Sequence, residues 1–214
     1  MNAADKKLKA ELTAIHGPIA FAVVQRLGAV ACTLPTEERY LEFVSAIGDP
    51  GESSGVAREQ LAFELLVHPA EPQQKARARK FLQAMPALAH ALSQAIEALS
   101  CGDYAESDLP EEKRADLDKN WEFGWKAITP QGFVPIVLAT DPTAGALARG
   151  VLDARERGDD DLGERMRTAV LSFVRSPEQD AVEEILAKRP ALLMPLWLRC
   201  QQLAGVGAIE LGKD

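Results

Sequence analysis

The stretch GFVPIVLAT (132–140) is the one whose reading decides the fold class. Val134, Ile136 and Val137 suit a short strand, but Pro135 inside the run would remove a ladder hydrogen bond. A short helix is the better fit, with Thr129 as its cap and Pro130 in its first turn. Read that way, no strand is left to seed a sheet. The chain is expected to be all-α, a multi-helix bundle or short α-superhelix.

The flanking sequence supports that expectation. On the C-terminal side the spacing predicts helices over 143–157, 161–175, 177–188 and 190–204. Leu162, Met166, Ala169, Val170, Phe173 and Val174 form an apolar stripe at helical period. Ser176-Pro177-Glu178 reads as an N-cap, a first-turn proline and a first-turn acid. Leu193, Leu196, Trp197 and Cys200 make a last buried stripe, followed from Ala204 by a glycine-rich tail. On the N-terminal side a polar helix over 5–15 stops at Gly17-Pro18, and a more apolar one is predicted over 18–32. Thr33–Thr36 then supplies an N-cap ahead of Glu37 and Glu38, and Tyr40, Leu41, Val44 and Ile47 give that helix one apolar face. Gly48-Asp49-Pro50-Gly51 ends it. Further helices are predicted over 54–67, from Pro72, and again beyond Pro86.

Residues 101–118 break the pattern, with seven acids against Lys113 and Arg114. They read as an acidic link between a first half, 1–100, and a second, 119–214, which could also pack as one domain. The link merges into a helix through Trp121 and Trp125. The halves resemble one another in order. Thr33-x-Pro35-Thr36 matches Thr140-x-Pro142-Thr143, Gly48-Asp49 matches Gly158-Asp159, and Leu61-x-Phe63 matches Leu171-x-Phe173. Pro72-x-Gln74-x-Ala76 matches Pro177-x-Gln179-x-Ala181, and Pro86-Ala87-Leu88 matches Pro190-Ala191-Leu192, all at separations of 104 to 110 residues. Two related helical units of about five to six helices each would bury their faces on one another.

Composition limits the function. Thirty-two acidic side chains against 24 basic ones give a net charge of −8. That balance repels phosphate backbones and anionic lipid, so nucleic acid and membrane surfaces are disfavoured. The longest uncharged run, 81–96, is too short and too polar to span a bilayer. Lys6, Lys7 and Lys9 precede an apolar stretch ending at Cys32, but Glu11 sits before that stretch and Gln25-Arg26 interrupt it, which argues against an export signal. Cys32, Cys101 and Cys200 are far apart, with no paired spacing, so reduced and mostly buried thiols in a cytoplasm are expected.

No chemical motif stands out. His16 and His68 read as imidazoles near helix C-termini and His90 as a half-buried helix residue. Asp159, Asp160, Asp161 and Glu164 cluster carboxylates, but helix capping explains them better than a metal. No cofactor, metal or catalytic residue is assigned. Lys75, Arg79 and Lys80 form the one concentrated basic patch, on a predicted helix face. Trp121 and Trp125, four residues apart, are expected to share a helix face, either packing the halves together or anchoring a partner. The expected function is protein binding by an adaptor, regulator, inhibitor or immunity-type factor of a bacterial cytoplasm. The balance falls against an enzyme. The alternative is a helical enzyme or small-ligand sensor with its site between the halves, and a weaker third is nucleic-acid binding through the helix carrying Lys75 and Lys80.

Overall fold

Residues 18–32 form a β-hairpin rather than a helix. The computed structural model describes residues 1–49, 54–106, 109–121 and 124–205. In it, β1 (Ala20–Val24) pairs antiparallel with β2 (Gly28–Cys32), from Ala20 opposite Cys32 to Val24 opposite Gly28. Arg26 (φ 72°) and Gly28 (φ 90°) turn the chain, and the Leu27 N–H donates to the Val24 carbonyl at 3.2 Å. Ala20, Ala22, Val24, Val30 and Cys32 pack on the core from one face of the hairpin. The period of two is there in the sequence, but Phe21, Val23, Ala29 and Ala31 are apolar as well, which hides it.

The stretch 132–140 yields the second correction. Ile136–Ala139 is strand β6, buried at all four residues and central in its sheet. A central strand covered on both faces reads as a continuous apolar run. Pro135 lies one residue before the strand, where it removes no ladder bond. Thr129 and Pro130 end β5 (Trp125–Pro130) and cap no helix. The protein is therefore mixed α and β, with a three-stranded and a four-stranded antiparallel sheet, and not an all-α bundle or superhelix.

Around the first sheet run α1 (Ala3–His16), α2 (Glu37–Gly48), α3 (Ser54–Glu64), β3 (Leu66–His68), α4 (Pro72–Ala84) and α5 (Pro86–Cys101). Around the second run β4 (Tyr104–Glu106), α6 (Glu111–Asn120), α7 (Pro142–Arg157), α8 (Leu162–Phe173), β7 (Val174–Ser176), α9 (Gln179–Lys188), a 3-10 turn (Pro190–Leu192) and α10 (Leu193–Leu203). Local chemistry sets several ends. Asn2 and Asp5 cap α1 reciprocally, the Thr36 side chain accepts from Arg39 N–H at the start of α2, and Asp141 accepts from Ala144 N–H ahead of Pro142. Other expected caps fail. Asp161 precedes α8 but turns its carboxylate to Arg165 at 2.7 Å, and Ser176 belongs to β7, so α9 starts only at Gln179. His68 lies in a strand, not at a helix end. The helix expected through Trp121 and Trp125 stops at Asn120. Pro50-Gly51 and residues 206–214 of the tail lie outside the described residues, as do Glu122 and Phe123.

The halves share one order of elements: hairpin, two helices, a short strand returning to the hairpin, two more helices. In the first sheet Ala31 faces His68 and Cys32 faces Leu66, with an irregularity between them. In the second Val137 faces Ser176 and Leu138 faces Val174, with the same irregularity, so the strands are displaced by 106 and 108 residues. Each returning strand leads into a cis peptide, His68-Pro69 or Ser176-Pro177. Pro177 thus corresponds to Pro69 and not to Pro72. Met85 (φ −131°, ψ 71°) and Arg189 (φ −137°, ψ 67°) make near-identical breaks before Pro86 and Pro190.

One core runs through both halves, from Ala20 to Cys200. At the crossing of α2 and α8 the helices pack so closely that a Cβ on Gly163 would overlap the Leu41 carbonyl. The Gly163 N–H donates to Ser45 Oγ at 2.9 Å, and Arg167 Nε meets Glu37 at 2.7 Å beside the crossing. Residues 101–118 hold β4 and part of α6. β4 pairs with β5, while α6 buries none of its own residues and holds on through half-buried Leu117 against Leu109, Ala127, Val137 and Trp125.

Candidate functional site

The two tryptophans do not share a helix face. Trp121 caps the end of α6 and lies under the Arg175 guanidinium, 4.5 Å from the ring centre. Arg175 is fixed there by the carbonyls of Ser172 and Val174 and by the Asp141 carboxylate at 2.7 Å. Trp125 opens β5, four residues and one turn of chain later; its indole N–H donates to Asp118 at 2.9 Å and its ring packs on the small cluster beneath α6. Both are half-buried. Lys75, Arg79 and Lys80 sit together on α4, in the other half of the fold. Arg79 donates to the Phe63 carbonyl at 3.2 Å, Lys75 is half-buried and close enough to Cys32 for its charge to act on that thiol, and Lys80 is exposed.

Burial accounts for the shifted thiols and His68. The Cys32 thiol, donating to the Ala62 carbonyl at 3.4 Å, is pushed up to about 12 by desolvation, with Lys75 opposing weakly. Desolvation also raises the Cys101 and Cys200 thiols, and burial lowers His68. Thiols held protonated at neutral pH are poor nucleophiles. The carboxylates at 159–164 are engaged with arginines: Asp159 is held low by its bond from Arg157, and Asp161 binds Arg165. Among the described residues no three His, Cys, Asp or Glu side chains converge to hold a metal, and no helix is long and apolar enough to cross a membrane.

Two features that sequence reading missed are better placed to act. The first is the outer edge of β1. In the second sheet the corresponding strand, β5, is covered by β4, with Tyr104 opposite Pro130, Ala105 opposite Thr129 and Glu106 opposite Ile128. In the first sheet the order is β1-β2-β3, and among the described residues β1 is the end strand. Its sequence, AFAVV, holds no charge and no proline, the devices that usually blunt an open edge. Ala22 and Val24 face the core, whereas Val23 projects from the other face, 51% exposed. The signal available in sequence was the uncharged run itself, but it reads as an edge only once the second sheet supplies the comparison.

The second feature is a cavity of about 160 Å³ between the halves. The Val44, Ile47 and Gly48 face of α2 closes one side, and α7, α8 and α10 close the others. On α7, Val151, Leu152 and Arg155 share one face, and on α10 so do Met194, Trp197 and Gln201. Gly48 matters here, because a side chain on it would drive into Leu162. No protein-family model, curated protein or solved structure matches the chain.

Proposed function

We propose that this chain works by binding another protein, as an adaptor, regulator, inhibitor or immunity-type factor, and that the outer edge of β1 receives an extended segment of that partner. The open, uncharged edge of β1 carries the proposal. The occupant's form is taken from the molecule's own second half, where β4 shows what fits such an edge: a short antiparallel strand paired over the equivalent of Ala22–Val24. Strand addition draws its affinity from main-chain hydrogen bonds and its selectivity from alternate side chains.

Charge supports an acidic partner. Residues 1–102 carry ten basic and eleven acidic side chains, whereas 103–214 carry 14 and 21. An acidic protein is therefore repelled less by the first half, at −1, than by the second, at −7, and the basic side chains of α4 lie in the first. Lys75, Arg79 and Lys80 on α4 are the proposed secondary contacts. Trp121 and Trp125 enter as residues that hold α6 and β5 in place beside the covered sheet. A cytoplasmic location belongs to the same proposal, supported by three free cysteines, two of them buried.

The test is capture from extracts of the native host, comparing wild type with Val23→Lys and with Lys75→Glu/Arg79→Glu/Lys80→Glu. The captured partner should protect the amides of Ala20–Val24 from hydrogen exchange, be lost with Val23→Lys, and be weakened by the triple variant. A partner held equally well by a folded Val23→Lys protein, with no protection of β1, overturns the proposal.

A further inference from the structure

Protein cores rarely keep voids larger than a water molecule, because an empty apolar space forfeits contacts on every side. The cavity between α2, α7, α8 and α10 is a cleft open to solvent rather than such a void, with exposed Arg155 in its lining. At about 160 Å³ it is close to the roughly 150 Å³ known to accept benzene in an engineered apolar core. Its walls are side chains such as Val44, Leu152, Met166, Met194 and Trp197, which give water few partners. Met166 and Trp197 are themselves buried, so the space reaches into the core.

Two polar side chains belong to the cavity lining. Arg155, exposed, and Gln201, half-buried, both line it. Among the described residues neither side chain has a hydrogen bond or ion pair, although Arg157 and Arg165 nearby are both engaged with carboxylates. A largely apolar cleft lined also by an uncommitted guanidinium and an amide matches a molecule with an apolar body and an anionic head. Guanidinium pairs with a carboxylate through two parallel hydrogen bonds, and these charge-assisted bonds are the stronger kind.

We propose that this cavity is a binding site for small monocarboxylates whose apolar body has about six carbons, with Arg155 and Gln201 receiving the carboxylate and Trp197, Met166 and Met194 receiving the body. The site draws on both halves, so a ligand there ties α2 to α7, α8 and α10. It does not depend on the β1 edge, and either proposal can fail alone.

Methionine methyl resonances give a direct test, using hexanoate as the probe and 1-hexanol as the head-group control. The chain has four methionines. Met166 and Met194 line the cavity, while Met1 and Met85 are exposed elsewhere and report nonspecific effects. Hexanoate at millimolar concentration should shift Met166 and Met194 saturably and leave Met1 and Met85 unmoved. 1-Hexanol and the Arg155→Gln variant should each weaken binding about tenfold or more, the loss expected for a charged hydrogen-bond partner. Leu152→Trp, which fills the chamber, should abolish the shifts while the protein stays folded. The proposal is overturned if hexanoate leaves Met166 and Met194 unshifted or moves all four methyls alike. It is equally overturned if hexanol binds as tightly as hexanoate, or if Arg155→Gln leaves the affinity unchanged.

Discussion

Gly163 sits close against the Leu41 backbone of the other half, and its lack of a side chain is what allows that approach. Gly163→Ala places a methyl group against the Leu41 carbonyl, backbone that cannot swing aside. The expected cost is about 1–3 kcal/mol, read as a drop in the denaturation midpoint. Gly145→Ala, in α7 with open space around the new methyl, should instead hold or raise stability by about 0.5–1 kcal/mol, since alanine favours helix over glycine. Similar losses from both changes would mean that the crossing is looser than it looks. Cys32 gives the pH dependence. Its folded thiol sits near 12 against an ordinary value of 9.0, so above the ordinary value the unfolded chain releases a proton that the folded chain keeps. Stability is complete below pH 9.0 and is lost as pH rises toward about 12. Denaturation midpoints measured through that window should fall less steeply in Cys32→Ala than in wild type.

At the scale of elements, the small β4–α6 cover is held by a few long side chains rather than by burial of its own. Arg189, at the break before Pro190, reaches the carbonyls of Asp103 at 3.2 Å and Gln131 at 2.8 Å while lying over Phe133 at 5.1 Å. It thereby ties the end of α9 to the start of β4 and to the turn between β5 and β6. A lysine keeps the charge but loses the fork that bridges two carbonyls. Arg189→Lys should cost about 1–2 kcal/mol and speed amide exchange in β4 and β5 more than in β1 and β2. Uniform acceleration in both sheets would count against this local role. The same scale explains why the hairpin of the first half read as a helix. A strand is legible when polar residues alternate with apolar ones, and in 20–32 the residues on both faces are apolar, including Val23, which is 51% exposed. In β6 the run is apolar because all four residues are buried, and the only local cue, Pro135, falls just outside the strand.

At the scale of the whole molecule, the shared core and the α2–α8 crossing make the halves energetically interdependent. Thermal unfolding is expected as a single cooperative transition, with Gly163→Ala shifting all of it. Two separable transitions, only one of them moved by the substitution, would show that the halves fold independently. Much of this organisation could be read from sequence: the cap of α2, the stripes of α8 and α10, the burial of Cys32 and Cys200, and the recurrence of prolines and stops at separations near 105 residues. Those features are local, set by backbone hydrogen-bonding needs at helix ends and by helical period, so neighbouring residues determine them. Tertiary structure alone decided that two uncharged apolar runs would become strands, since pairing partners such as Leu66 and Val174 stand some 35 residues away in the chain. It alone decided that β5 would be covered and β1 left at the edge, and that Arg155 and Gln201 would meet at one cavity from helices about 45 residues apart. The candidate sites are products of those long-range meetings, which no local pattern encodes.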